Sequence, residues 1–258
     1  MKILICVKQV IDIEQQIDIR PDKTWIAEGQ ETRYHMNYFD EFAVEEAVRI
    51  KEHLKDVAID ALTIGPARSE STLRRALALG ADNAVHIRCP ADKFMPAEET
   101  AFHIAKFIKT TSFDLILFGV MSEDAMQSLT GPMTAAMCGL PCATAVVKQT
   151  LAPDSGSVEV VCELEGGLHE TVRLPLPAVL CLQSGINQPR YASLSNRLRA
   201  KSQEIRTVDI DERDCPEKRQ QLLSVFIPPK TGTGEFIRGT LEEKAGALMT
   251  ILHQKSLI

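Results

Sequence analysis

Apolar residues in this chain come in short runs set between stretches of helical spacing. Residues 2–10, Lys2-Ile3-Leu4-Ile5-Cys6-Val7-Lys8-Gln9-Val10, are apolar with β-branched side chains. They predict a first strand buried on both faces, as in a parallel sheet. Similar runs predict strands over 57–64, ending at Gly65-Pro66, over 84–87 after the Ala81-Asp82 turn, and over 113–118. Between them lie helical patterns: 42–50 with early acids, 69–79 stopping at Gly80, and 98–110 with Ala101, Ile104, Ala105 and Ile108 on one face. Strands alternating with helices predict right-handed βαβ units, so the first half reads as doubly wound α/β.

Two stretches depart from that rhythm. Residues 11–33 carry the turn signals Pro21-Asp22 and Glu28-Gly29, and the alternation Ile17-Asp18-Ile19 suggests a small hairpin excursion. After Pro141 come strand-like segments at 143–150, 157–165, 167–173 and 178–183, with Glu165-Gly166-Gly167 as a hairpin hinge. Antiparallel strands are therefore expected on the parallel sheet. From Ser184 the core pattern fades. A loop passes through Asn187, Pro189 and Tyr191, and a short basic helix or arm covers 194–202. A charged stretch over 209–221 and a Pro/Gly/Thr linker over 228–234 lead to a terminal helix over 240–254. Its apolar stripe of Leu241, Ala245, Leu248 and Leu252 needs a surface, on this chain or on another. The expected organisation is a core over 1–205 and a C-terminal arm over 206–258.

The most informative stretch is 119–141. The strand over 113–118 gives way to a loop at Gly119, and Thr130-Gly131-Pro132 then opens a tightly packed helix, Met133, Ala135, Ala136 and Met137, closed at Gly139. Strand, loop and helix start in that order suit a bound phosphate, because the first-turn N–H groups and the helix dipole favour an anion. Other segments end near the same edge: Cys6-Val7-Lys8 after the first strand, Asn37, Tyr38, Phe39 and Asp40 before a helix, and Ile64-Gly65 after the second strand. With the loop through Val120, Met121, Ser122, Asp124, Ser128 and Leu129 to Thr130 and Gly131, they outline a nucleotide site at a topological switch point.

Composition narrows the function. The 258 residues are 45% hydrophobic and 25% charged, ordinary globular values, and the net charge of -6 offers nucleic acid or anionic lipid no general attraction. Apolar runs stop well short of the roughly 20 residues that span a bilayer, and Met1-Lys2 leads straight into a strand. No membrane span and no signal peptide are expected, which points to the cytoplasm. Seven scattered cysteines, Cys215 among them, read as reduced core thiols, and six dispersed histidines nominate no metal site. Gly-x-Gly-x-x-Gly after the first strand, the P-loop, Gly-x-Ser-x-Gly and His-Glu-x-x-His are all absent. Glu123 and Asp124 lie in the loop without a partner base or metal, and Glu123 reads as a solvated loop face.

Together these segments resemble the β subunit of an electron-transfer flavoprotein, a family that includes the FixA-type subunits. The resemblance runs through Val7-Lys8-Gln9-Val10, Met36-Asn37 with Ala43-Val44-Glu45-Glu46-Ala47, Gly65-Pro66 and Ala76-Leu77-Ala78-Leu79-Gly80-Ala81-Asp82. It continues through Gly119 to Thr130-Gly131-Pro132, Glu163-Leu164-Glu165-Gly166-Gly167, Leu176-Pro177-Ala178-Val179, and Asn187 to Leu194, covering about residues 2–205.

The resemblance implies a Rossmann-like fold related to adenine nucleotide hydrolases, and a heterodimer with an α subunit that holds the redox FAD. It also implies an AMP with a structural role in this subunit, or a second FAD in electron-bifurcating members. Electrons would pass from dehydrogenases such as those acting on acyl-CoA in fatty acid oxidation to a quinone reductase or another acceptor, with no acid/base catalysis by this chain. Carried over by position, Cys6, residues 37–40, Ile64 with Gly65, and the loop from Val120 to Gly131 contact the nucleotide, with Thr130 and Gly131 on its phosphate. Asp124 keeps a family acid, whereas Met121, Met126 and Leu129 stand where relatives have Gln, an acid and Gln. Ile13 replaces an aromatic near the flavin. Residues 191–201 match the loop that docks on the donor dehydrogenase, with Leu194 as anchor, Tyr191 beside it, and Arg190, Arg197, Arg199 and Lys201 as a cationic surround. An amphipathic surface helix is the plainer reading of that segment. The terminal helix is expected to clasp the α subunit. The alternative function is a stand-alone adenine nucleotide-binding module resembling universal stress proteins.

Overall fold

The computed structural model describes residues 1–89, 94–152, 156–210, 219–229, 232, 234 and 236–258. Cys215, most of the charged stretch predicted over 209–221 and part of the linker over 228–234 lie outside them. The chain divides into two units, Met1–Val225 and Phe226–Ile258.

In the larger unit β1 (Lys2–Cys6) sits between β4 (Ala58–Gly65) and β6 (Leu115–Gly119), all parallel. Beyond β4 lie β5 (Asn83–Arg88) and β11 (Ile205–Asp209), and beyond β6 lie β10 (Ala178–Leu182) and β7 (Cys142–Ala152), still parallel. An antiparallel ribbon of β8 (Ser157–Glu163) and β9 (His169–Pro175) finishes the sheet, turning at Glu165–Gly167 as the hinge predicts. The fold is thus a doubly wound, mostly parallel α/β sheet with added antiparallel strands. Among the described residues no helix is long and apolar enough to cross a membrane.

Both faces of the central parallel strands are covered, which is why β1, β4, β6 and β10 read as near-continuous apolar runs. Ile3, Ile5, Leu115, Leu117 and Leu180 pack against α1 (Tyr38–His53) and α2 (Glu70–Leu79) on one side. Leu4, Cys6, Ile116, Phe118 and Cys181 pack against α3 (Ala97–Thr110) and α4 (Thr130–Cys138) on the other. Gly139 closes α4 at φ +67, a left-handed cap open to glycine.

Four expectations are amended. The first strand ends at Cys6, and β2 (Gln9–Ile11) leaves to pair with β3 (Tyr34–Met36) in a separate antiparallel ribbon. The backbone diverges because the N–H of Lys8 is taken by the Asp40 side chain instead of a neighbouring strand. α1 starts four residues before 42, at Tyr38. β10 is a central parallel strand, inserted between β6 and β7, and not part of the antiparallel set. Finally, β11 extends the sheet past residue 205, where exposed Arg206 and Thr207 hide the strand signal.

In the smaller unit α6 (Leu241–Gln254) begins with a capping box. The Thr240 hydroxyl accepts from Glu243 N, and the Glu243 carboxylate accepts from Thr240 N.

Candidate functional site

The chain runs from β1 through α1 to β4 on one side, and returns through α3 to β6 on the other. The carboxyl ends of β1 and β6 therefore flank a switch point, where open α/β sheets bind ligands. Asp40 holds its floor together. From the first turn of α1 its carboxylate accepts the N–H of Lys8 at 2.7 Å and of Gly119 at 3.1 Å, joining the ends of both strands to one helix. Burial pushes the Asp40 carboxyl up to about 7, against the opposing N–H bonds from Lys8 and Gly119. The same burial, with Asp40 adding to it, raises the Cys6 thiol. Gly119 is required here, since a Cβ would lie 2.5 Å from Asp40 Oδ1 and 2.7 Å from the Phe39 carbonyl carbon. Gly119→Ala is expected to cost roughly 1–3 kcal/mol, seen as a lowered urea midpoint.

The loop after β6 is clamped to the start of α1. Asn37, at the N-cap position, spends its side chain on the loop: Nδ2 donates to Met121 O (2.9 Å) and Oδ1 accepts from Glu123 N (3.0 Å). Glu123 then turns inward. Its Oε2 accepts the N–H of Tyr38 at 2.8 Å and lies 3.2 Å from His35 Nε2. Its side chain is only 21% exposed, so the solvated-face reading of Glu123 is corrected: the orphan N–H at the head of α1 offers a carboxylate more than water does. Beside it the Lys8 ammonium meets Asp124 at 2.6 Å and Ser122 Oγ at 3.4 Å. Val120 is buried, with its N–H bonded to Leu182 O at 2.9 Å.

The far end of the loop is open. Met126 is 70% exposed with φ +50, an unusual conformation for a side chain of its kind, and Leu129 is exposed beside Ser128. Thr130 and Gly131 head α4, where the first-turn N–H groups have no partner within the helix. A Cβ on Gly131 would collide with Cys181 Sγ, so glycine lets α4 start directly against β10. Ile64 and Gly65 end β4 on the other side of β1, and Gly65 O accepts from His86 Nε2 at 2.9 Å. Thus Cys6, residues 37–40 and the two ends of the 120–131 loop meet at one edge of the sheet. The Asn37 and Asp40 side chains are engaged with the loop and with the chain just beyond β1 and at the end of β6.

Residues 187–190 lie along α1 between Phe42 and Glu52, and the helix that follows lies on α2. Asn187 Nδ2 donates to Phe42 O and Glu46 Oε2. Arg190 bonds Glu45 through Nε (2.8 Å) and Nη2 (2.9 Å) and Glu52 through Nη1 (2.5 Å). This fork explains why Glu52 lies below the ordinary carboxylate range, with the Arg190 hydrogen bond as the largest cause. Arg190 is therefore a brace, whereas Arg197, Arg199 and Lys201 face solvent. Ser193 caps α5 (Leu194–Ser202), accepting from Asn196 N, and Arg74 Nη1 ties the helix to α2 through Ala200 O at 2.8 Å. Tyr191 and Leu194 project outward, 92% and 74% exposed.

Pattern reading missed His35, Glu45 and Glu52, and it named Glu123 and Arg190 without their intramolecular partners. Each of these partners is distant in sequence.

A family model described as an electron transfer flavoprotein domain matches residues 24–213. The chain is 38% identical to the mitochondrial electron transfer flavoprotein subunit beta of Arabidopsis thaliana over 242 residues, 92% of this chain and 93% of the relative. It is 36% identical to the electron transfer flavoprotein subunit beta of Bos taurus over 243 residues, and 36% identical to that of Homo sapiens over 244, each covering 93% of this chain and 94% of the relative.

Proposed function

The chain belongs to the electron transfer flavoprotein β-subunit family, and on that premise we propose that it forms one half of a heterodimer whose α subunit carries FAD. The heterodimer takes electrons from a donor dehydrogenase, of the acyl-CoA type, and hands them to a quinone reductase or another acceptor. The flavin supplies the redox chemistry. This chain supplies a rigid frame, a docking segment at Tyr191 and Leu194, and a site for an adenine mononucleotide. Buried thiols such as Cys6, Cys162 and Cys181 suit a reducing compartment such as the cytoplasm.

The observation that carries the nucleotide reading is the head of α4. Gly131 brings it against β10, so its N–H groups open onto the carboxyl edge of the parallel strands. Thr130 and Gly131 would hold the phosphate of AMP, and Cys6, Tyr38, Phe39 and Ile64 would bound the nucleoside. The test is to express the chain with its α partner, denature the purified complex and count the released nucleotides. One FAD and one AMP per heterodimer are expected. FAD without AMP would remove the mononucleotide role. A colourless homodimer that binds ATP tightly would replace the whole reading with a stand-alone nucleotide module.

A further inference from the structure

Beside the middle of α1, two buried amide oxygens have no hydrogen-bond donor among the described residues: Asn187 Oδ1 and Gln149 Oε1. Their orientation is fixed. Asn187 Nδ2 donates to Phe42 O at 3.0 Å and to Glu46 Oε2 at 2.8 Å, and Gln149 Nε2 donates to Glu46 Oε1 at 2.9 Å. Turning either amide over would set its oxygen against those acceptors. Bulk water does not meet the need either, since Asn187 is only 9% exposed, and a buried carbonyl without a partner is costly.

The charge around these oxygens is also incomplete. Arg190 forks between Glu45 and Glu52. Glu46, whose side chain is 8% exposed, has only Arg49 at 3.7 Å, beyond hydrogen-bond reach. In this set three carboxylates share two guanidinium groups. Each Glu46 oxygen takes one amide N–H and keeps a lone pair for another partner.

We propose that Glu46, Asn187 and Gln149 form a site for a monovalent alkali cation, which ties α1, β7 and the chain at 187–190 together. Carboxylate and amide oxygens are the donors that hard cations take. A single carboxylate is too little charge for a divalent ion of the calcium type, which gathers several. Among the described residues no group of three His, Cys, Asp or Glu side chains is set to hold a metal, so the ligands here are mainly neutral oxygens. The cation supplies the missing positive charge to Glu46 and a partner to both amide oxygens. Glu46 lies about two turns along α1 from Tyr38, roughly 12 Å by helix rise, so the ion and a nucleotide occupy different places.

The test melts the chain, purified with its α partner, in potassium, sodium and choline chloride at one ionic strength. One of the alkali ions is expected to raise the melting temperature by about 3–6 °C over choline, with saturation as its concentration rises. Glu46→Gln keeps the shape of the side chain and removes its charge, and Gln149→Met removes one ligand oxygen. Each should raise the half-saturating ion concentration at least about tenfold, the size of one lost ion contact. In the wild type, hydrogen exchange along β7 and over 187–190 should slow in the favoured salt, a readout that needs no variant to fold. Identical melting in the three salts would overturn the proposal and leave water as the partner of both amides. An equal response in the variants, or exchange that is unchanged at β7 and 187–190, would overturn it by placing the ion elsewhere. The released-nucleotide count is unaffected by either result, so the nucleotide reading stands or falls separately.

Discussion

Asp40→Asn is expected to remove a pH dependence of stability that the wild type shows between about pH 5 and 7. The Asp40 carboxyl moves from an ordinary 3.8 to about 7 in the fold, and burial is the main cause. Between those values the folded chain holds a proton that the unfolded chain has lost. The Asp40 contribution is therefore fully favourable below about 3.8, and it is lost as pH rises towards 7. Each pH unit in that window corresponds to about 1.4 kcal/mol, so wild-type stability relative to Asp40→Asn should fall on the order of 2–3 kcal/mol from pH 5 to pH 7. Urea titrations of both proteins at several pH values measure it. Parallel stability curves would show that Asp40 is ionised throughout. At every pH the variant should also carry a fixed penalty of about 1–3 kcal/mol, because an amide cannot accept from both Lys8 N and Gly119 N. That penalty falls on the joint between β1, β6 and α1, so nucleotide retention should decline with it.

The parts of this fold visible in the sequence are those governed by local periodicity. The four leading parallel strands, the helices over 70–79 and 130–138, and the hairpin at Glu165–Gly167 follow from runs, caps and glycines a few residues apart. The strand Ala178–Leu182 was legible as a strand, yet its direction and central place depend on which neighbour it joins, and periodicity carries no record of that. Among the described residues β11 pairs along one side only, so its half-buried Ile205 and Val208 make a faint signal between exposed residues.

The candidate site divides along the same line. Thr130-Gly131 can be picked out because a helix start after a strand is a local pattern. Glu123 cannot, because an acid facing water and an acid facing a helix head 85 residues earlier look alike in a string of letters. Arg190 is a further case. Beside Arg197, Arg199 and Lys201 it reads as part of a cationic surface, but its partners Glu45 and Glu52 come from a helix 145 and 138 residues upstream.

That reassignment separates two variants of the docking segment. Leu194→Ala removes an exposed apolar side chain without disturbing the Ser193 cap or the Arg190 fork. If Leu194 anchors the donor dehydrogenase, the heterodimer concentration needed for half-maximal reduction should rise roughly tenfold to hundredfold, the range of an interface hot spot. Limiting rate, melting temperature and flavin content should stay near wild type. Unchanged reduction kinetics would remove the docking role. Arg190→Ala acts by another route. It leaves Glu45, whose side chain is 7% exposed, without its partner, and it loosens the chain beyond Asn187, which stays tied to Phe42 O and Glu46. Since Glu52 is half in solvent, the stability cost is on the order of 1–3 kcal/mol, with a docking defect beside it. Arg190→Lys keeps the charge but loses the fork that spans two carboxylates, so it should recover most of the stability and little of the docking. If Arg190 instead met the donor as a surface charge, lysine would restore docking, and raising the salt concentration would weaken wild type and Arg190→Lys equally and Arg190→Ala less.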